Sequence, residues 1–459
     1  MLSLLGSSAG DSKALATISE NDPFVGPPRS RAATVHNNPF APKPQASPYA
    51  PGSRLIGPPS GPSPHLRALT SGGSRLPSLE EALDPNNFPF IEMCRLGREE
   101  TFGVIKIKNI PYGVTRPEIL AFLGRNARII NEQEYEPVHI VMERVTSKTL
   151  DCYVEFINLN EAVNAVNRFE TNRAGNRGGR LGSRHVECEL SSQEQLMKDL
   201  FPKAKNVAWQ GSRPIIIPND PNDRYNSGFQ GFISKEELVM LVKHVEAPQR
   251  SPFSKECPQR PFECLISTLL KYPWYMVDHI TINDRYLLHK ATIELIKLLK
   301  ERIDSETDPV NLNNQLFKRV WRAALKCPGF TPCMKDDVVY VCDIDDSTAL
   351  ELGVAPYAVW WKPLFTIGHK PDIPTDTLMW YIAIIREHLD RKKAYVSLAE
   401  RAARNEGNEL PKLFGDLDKL IERPEGWGNM TLGQVARYEW TAVEQVLREI
   451  LTPALEGRK

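Results

Sequence analysis

The sequence predicts an α+β protein, with a ferredoxin-like βαββαβ sandwich at residues 98–200 followed by a mostly α-helical C-terminal domain. In the first region, runs of alternating apolar and polar residues, typical of strands, are separated by segments with helical spacing. Beyond residue 231, apolar residues recur mainly at helical spacing. The length of 459 residues suggests two to three domains.

The elements of the sandwich follow from local patterns. Strands are expected at residues 104–110, 138–141, 150–156 and 184–190. Thr115 and Glu118 form the capping-box pattern that starts a helix at Arg116, and a second helix is expected at residues 160–166. A further helix from Ser191 through Leu200 follows the last strand and is placed to cover the exposed face of the sheet.

The third strand, Thr149–Phe156, falls where an RNA-recognition motif carries its internal signature strand. Tyr153 fits that signature and is counted among the RNA-contact candidates. Asp151, however, stands where a base would stack, and Lys106 holds the other stacking position on the first strand. Because stacking on aromatic rings contributes ~1–3 kcal/mol per base, this sheet face is expected to bind RNA poorly.

Two segments carry a family resemblance. Residues 108–112, Lys-Asn-Ile-Pro-Tyr, and residues 184–190, Arg-His-Val-Glu-Cys-Glu-Leu, resemble segments of the quasi-RNA-recognition motifs of the heterogeneous nuclear ribonucleoprotein H/F family. The resemblance covers roughly residues 103–197 and implies binding of single-stranded RNA by loops instead of the sheet face. It marks as contacts the residues of two loops, namely Lys108, Tyr112, Arg184 and His185. Tyr replaces Trp at position 112 and His replaces Tyr at position 185, so a preference for G-tracts is not carried over.

An arginine-rich loop precedes the last strand. Glycines 175, 178, 179 and 182 are interleaved with Arg173, Arg177 and Arg180, just before Arg184. Arginines in such a loop can contact phosphates and stack their guanidinium planes on bases. A solvated insertion is the alternative interpretation.

The rest of the chain is divided by composition. Residues 1–97 are rich in Pro, Ser and Gly and are expected to be a disordered arm, with a short helix at residues 79–83 and with Phe88 and Phe90 packing onto the next domain. Residues 201–230 are interpreted as a linker because of their prolines. In residues 231–459, Ser234 and Glu237 form a capping box, and a strand is expected at residues 337–342. Further helices are expected at residues 261–271, 285–303, 311–326, 375–404, 410–422 and 431–451.

Several function classes find little support in the sequence. The 57 basic and 57 acidic residues balance, so no overall charge draws the chain to nucleic acid. The eight scattered cysteines indicate reduced thiols in the nucleus or cytoplasm. The spacing of Cys327, Cys333 and Cys342 does not fit zinc. The sequence shows no catalytic motif, no cofactor motif, and no apolar run of the ~20 residues that a membrane span requires.

These patterns predict a non-enzymatic RNA-binding regulatory protein that acts in RNA processing or post-transcriptional control. Single-stranded RNA is the expected ligand of the sandwich, and protein partners are expected at the helical C-terminal domain. The alternative is a protein-interaction scaffold whose RNA-recognition fold no longer binds RNA.

Overall fold

The computed structural model describes residues 61–131, 135–175, 179–220, 222, 228–394 and 412–452. The fold is mixed α/β, mainly helical, with small antiparallel sheets. The strands are β1 Phe90–Glu92, β2 Gly103–Lys108, β3 Val138–Met142, β4 Thr149–Phe156, β5 Arg180–Leu181, β6 Arg184–His185, β7 Glu187–Ser191, β8 Val207–Gln210, β9 Arg213–Ile216 and β10 Ile367–His369.

The described helices, short 3-10 turns aside, are α1 Pro64–Leu69, α2 Leu79–Leu83, α3 Arg116–Leu123, α4 Leu159–Ala174, α5 Gln193–Leu200, α6 Lys235–Glu246, α7 Pro252–Glu256, α8 Arg260–Lys271, α9 Ile282–Asp304, α10 Asn314–Lys326, α11 Pro332–Cys342, α12 Asp346–Glu351, α13 Thr375–Ala394 and α14 Leu432–Leu451.

The chain divides into two compact units. One, the sheet unit, comprises residues Met93–Phe330 and Val341–Val354. The other, the terminal unit, takes the described residues up to Glu92, Thr331–Tyr340 and those from Ala355 onward. The sheet unit carries the candidate site.

The sheet unit contains a four-stranded antiparallel sheet in the order β3-β4-β2-β7, with α3 between β2 and β3 and α4 between β4 and β7. This is the βαββαβ order of elements expected from the sequence. One face of the sheet packs on these helices through a buried cluster that includes Ile105, Val154, Phe156 and Phe169. As the sequence predicts, Thr115 and Glu118 pair at the start of α3, where the Glu118 carboxylate accepts from the Thr115 backbone N–H at 2.7 Å and from its hydroxyl at 2.9 Å.

The segment expected to be a linker contains a packed β-hairpin. Strands β8 and β9 pair antiparallel through a two-residue turn, and Gly211 in that turn has a φ of +62°, a conformation that glycine adopts without strain. Trp209 of β8 is buried and stacks on Phe201 with ring centroids 5.9 Å apart. The prolines in this segment suggested a linker, but the buried Trp209 ring anchors residues 207–216 to the unit.

The terminal unit corrects the prediction for the N-terminal arm. From residue 61 onward the chain forms α1, α2 and β1, and the short helix expected at residues 79–83 is confirmed with Ser78 as its N-cap. Phe88 and Phe90, expected to pack onto the next domain, belong to the terminal unit. Their rings contact Tyr381 of the C-terminal half, and β1 pairs with β10. Residues 1–60 lie outside the described residues.

Helices at residues 261–271, 285–303, 311–326 and 431–451 are confirmed, within a few residues at their ends. The strand expected at residues 337–342 is wrong, because the segment belongs to α11. Lys335, Val338 and Val339 are buried at spacings of three and four, which suit a helical face. Of the helix expected at residues 410–422, the described part shows only a 3-10 turn at Leu417–Lys419. Residues 395–411 lie outside the described part of the chain.

Candidate nucleic-acid interface

The outer face of the sheet, opposite α3 and α4, is where an RNA-recognition motif would stack bases. Lys106, Tyr153 and His139 lie side by side on it, because the strand registers pair Lys106 with Tyr153 and Tyr153 with His139. Helix α5 covers this face. Asp199 of α5 accepts a hydrogen bond from the Tyr153 hydroxyl and pairs with the Lys106 ammonium at 3.0 Å. Burial and the Asp199 hydrogen bond raise the pKa of Tyr153.

Helix α8 covers the rest of this face with a buried polar network. The His139 ring lies between Ser267 of α8, at 3.0 Å from Nδ1, and Glu155 of β4, at 2.9 Å from Nε2. Lys271 of α8 donates to Glu155 at 2.9 Å and to Gln193 at 2.8 Å. Burial opposes ionisation of Glu155, but the Lys271 charge and the His139 hydrogen bond lower its pKa to about 2. The face is therefore closed by helices on both sides of Tyr153.

The Ser267–His139–Glu155 chain has the order of a hydrolase triad. Ser267 is 2% exposed, and His139 and Glu155 are each 0% exposed. A substrate cannot reach the Ser267 hydroxyl in this arrangement. The three residues satisfy one another's hydrogen-bonding groups at a buried contact.

Two loops at one end of the sheet bring together most of the residues that the resemblance marks. The guanidinium carbon of Arg184 lies 4.8 Å from the centroid of the Tyr112 ring, and Arg184 also donates to the Ile110 carbonyl at 3.2 Å. In the small β5–β6 sheet, Arg180 pairs with His185, and the Arg180 Nε donates to the His185 Nε2 at 3.1 Å. We call Tyr112, Arg180, Arg184 and His185 the loop cluster.

A hydrogen bond from the Asn109 side chain to the backbone of His185 connects the two loops of the loop cluster. Asn109, in the left-handed region with a φ of +57°, donates from its side chain to the His185 carbonyl at 2.7 Å. This bond joins the end of β2 to strand β6. Arg180 and His185 are exposed, whereas Tyr112 and Arg184 are half-buried. A fixed stack of Arg184 on Tyr112 therefore stands beside an exposed arginine and an exposed imidazole.

The other site residues expected from the sequence lie apart from the Arg184–Tyr112 stack or have their charge paired with an acidic residue. Lys108 is half-buried and paired with Glu189 at 2.7 Å, so its charge is offset. Arg173 is exposed at the end of α4, close to Gly179. Tyr153 is 0% exposed beneath α5, which removes its ring from contact with any base. Arg177 lies outside the described residues.

The helical region holds the Tyr112 loop in place, which the sequence did not indicate. Arg260 of α8 is 0% exposed and donates to the carbonyls of Tyr112 at 3.0 Å and Val114 at 2.6 Å. The Cys257 thiol also donates to the Tyr112 carbonyl, at 3.1 Å. On α7, the Phe253 ring meets the Tyr112 ring edge-on with centroids 5.5 Å apart. No spacing or motif pairs these residues with residue 112, so only the tertiary contact reveals them.

Among the described residues, no group of three or more His, Cys, Asp or Glu side chains is placed to hold a metal ion. Burial raises the pKa of the Cys333 and Cys342 thiols to about 12, which disfavours the thiolates that bind metals. Within the described part of the chain, no helix has both the length and the apolar character needed to cross a membrane.

Comparisons with known proteins match two separate regions of the chain. Residues 101–211 match a family described as a domain of unknown function (DUF8400), and residues 229–344 match a second such family (DUF8399). No curated protein matches the chain significantly. Among solved structures, the chain is similar to the crystal structure of the Glorund qRRM2 domain, with 24% identity and a TM-score of 0.18, over 22% of this chain and 99% of that one.

Proposed function

We propose that this protein is a non-enzymatic, single-stranded RNA-binding regulator, acting in the nucleus, the cytoplasm or both, whose sheet is a degenerate RNA-recognition motif. The RNA binds at the loop cluster and not on the sheet face. The observation that carries the proposal is the Arg184–Tyr112 stack, at 4.8 Å, beside the exposed Arg180. A guanidinium held against an aromatic ring presents a flat cationic surface on which an unpaired base can stack.

The closed sheet supports this location. Tyr153, the ring on that face that fits the RNA-recognition signature, is fully buried, and the face is covered by α5 and α8. The neighbouring polar groups are satisfied by Lys271, Gln193 and Asp199. Opening this face to RNA would leave buried charges without partners, at a cost of several kcal/mol.

The test is the affinity of the full chain for a fluorescein-labelled pool of random 20-nucleotide RNAs, measured by anisotropy. Arg184→Gln removes the stacked guanidinium and is expected to weaken binding about 5-fold or more. The reason is that the cation–π contact between a guanidinium and a stacked base adds ~1 kcal/mol or more when it is partly desolvated. The matched control is Arg448→Gln, which removes an exposed arginine from α14 in the terminal unit and should change affinity less than twofold. Equal affinities for the two variants would contradict the proposal.

A protein scaffold is the second candidate, and the covered sheet face favours it. Helices α5 and α8 of the same chain pack on that face, so its side chains already make contacts with protein. If the full chain bound none of the RNAs in the pool at physiological salt, the scaffold function would replace RNA binding. The helical C-terminal region would then be the proposed surface for protein partners.

A further inference from the structure

We infer that Phe253 of α7 is a second base-stacking surface of the same RNA site, so that the site is shared between the regions 101–211 and 229–344. The inference rests on the proposed function, and Phe253 is a residue that the sequence did not indicate. Tyr112 contacts both Arg184 and Phe253, with 4.8 Å from the guanidinium to the Tyr112 ring and 5.5 Å from that ring to the Phe253 ring.

Hydrogen bonds of the neighbouring residues Ser251 and Ser254 hold Phe253 in place. Ser254, the buried residue of α7, bonds through its hydroxyl to the His244 Nδ1 at 2.9 Å. Ser251 donates to the Thr146 carbonyl at 2.9 Å, which fixes the start of α7 on the β3–β4 loop. The Phe253 ring itself is only half-buried. A ring fixed in this way loses little conformational freedom when a ligand stacks on it.

The angle between the Tyr112 and Phe253 rings favours single-stranded over duplex nucleic acid. The Tyr112 and Phe253 planes meet at 67°, so bases stacked on both rings cannot be parallel. Neighbouring bases in a duplex are parallel, whereas unpaired bases can be splayed apart onto separate aromatic surfaces. The geometry therefore fits two unstacked nucleotides of a single strand.

The surroundings of Phe253 supply positive charge. Arg250 and Lys255 are both exposed and lie three residues before and two residues after the ring, with the exposed acid Glu256 next to Lys255. Arg180, which belongs to the same loop cluster as Tyr112, is also exposed. Cations close to a stacking surface suit a polyanion, whose phosphates lie beside its bases.

The experiment compares variants of the full chain for binding to the labelled random 20-nucleotide RNA pool, with a single-stranded DNA pool of the same length beside it. Phe253→Leu keeps an apolar side chain and removes the ring, and it should weaken RNA binding roughly 5- to 100-fold. Phe253→Tyr keeps the ring and should stay within about threefold of the unmodified chain. If DNA bound as tightly as RNA, the site would recognise single strands without reading the 2′-hydroxyl, and the assignment to RNA would be overturned.

The matched control is Phe365→Leu in the terminal unit. Phe365 is also half-buried, with Arg423 5.2 Å from its ring and Trp427 meeting it edge-on at 6.0 Å. This variant should bind as the unmodified chain does. If Phe253→Leu bound normally while Arg184→Gln bound weakly, the inference would be wrong and the proposed function would stand. Normal binding by both variants would overturn both.

A second measurement remains informative if Phe253→Leu unfolds. The unmodified chain is crosslinked by light to a 4-thiouridine-containing RNA pool, and trypsin then releases the peptide Ser251–Lys255. The inference predicts RNA attached to this peptide. Crosslinks at peptides containing Tyr112 or Arg184, with none at Ser251–Lys255, would contradict it.

Discussion

The guanidinium of Arg260 donates to the main-chain carbonyl of Tyr112 at 3.0 Å, across 148 residues of sequence. The same guanidinium reaches the Val114 carbonyl at 2.6 Å and the Thr149 hydroxyl at 3.1 Å. A helix of the region 229–344 thus sets the conformation of the loop that presents Tyr112. The loop cluster is a property of the whole sheet unit, not of residues 98–200 alone.

Replacing Arg260 by lysine tests whether this residue acts by positioning the Tyr112 loop or by its positive charge. A single ammonium cannot reach all the acceptors that the planar guanidinium serves, so the free energy of unfolding should fall by about 1–3 kcal/mol. RNA affinity should fall as well, because the Tyr112 loop loses its anchor. The slope of log affinity against log salt should stay unchanged, since the fully buried Arg260 is out of reach of a phosphate. A flatter slope would show that Arg260 contacts RNA directly.

Lys271→Met should strongly destabilise the sheet unit. The change leaves Glu155 buried on the sheet face without its cation, and breaking one partner of a buried pair costs about 3–5 kcal/mol. Guanidinium-induced unfolding measures the loss. Lys198→Met is the control, because its pair with Glu194 is exposed and should contribute less than about 1 kcal/mol. Equal losses for the two variants would mean that the buried network does not hold α8 on the sheet.

His244 should make stability depend on pH. Burial lowers its pKa below the ordinary value of 6.5, although hydrogen bonds with the Arg144 and Val145 carbonyls oppose the shift. The unfolded chain therefore binds the proton more readily, and the contribution of His244 is complete above pH 6.5 and decreases as the pH falls below it.

The measurement is unfolding free energy between pH 7.5 and 5 for the unmodified chain and for His244→Gln. The difference in unfolding free energy between the unmodified chain and His244→Gln should decrease as the pH falls. The variant comparison is needed because burial also lowers the pKa of His369 in the terminal unit. A constant difference across this range would contradict a lowered pKa at His244.

The arginine-rich loop should control the salt dependence of binding. Replacing Arg173, Arg177 and Arg180 by glutamine should flatten log affinity against log salt by roughly one to two units, at about 0.7 per phosphate contact for a single strand. Base preference should change little, because phosphate contacts position the strand without reading it. The control replaces the exposed Arg75, Arg437 and Arg448 of the terminal unit and removes the same charge. An unchanged slope for the first triple variant would identify the loop as a solvated insertion.

Local patterns were sufficient for the strands and helices of the sandwich, because alternation and capping boxes depend on neighbouring residues. They also indicated that a helix after Ser192 would cover the sheet, as α5 does. They could not indicate the cover by α8, which depends on Ser267 and Lys271 meeting residues more than 100 positions away. The polar residues of the sheet face therefore indicated poor RNA binding, but not that α8 buries them.

The same limit applies to the candidate site. Arg184 and Tyr112 could be selected from the sequence because both lie in segments with a family resemblance. Phe253 and Arg260 could not, since their contacts with residue 112 arise only when α7 and α8 pack beside the sheet. Tyr153 was selected because it fits the signature of the strand, but its burial depends on Asp199 of α5.

The central claim is that RNA binds at the loops and not on the sheet face. It is tested most directly by the affinities of Tyr112→Ala and Asp151→Ala, in the full chain, for the random 20-nucleotide RNA pool. Asp151 lies on the sheet face, 3.1 Å from the Lys106 ammonium. Tyr112→Ala should weaken binding roughly 5- to 100-fold, and Asp151→Ala should leave it unchanged. Weakened binding by Asp151→Ala together with normal binding by Tyr112→Ala would place the RNA on the sheet and contradict the account.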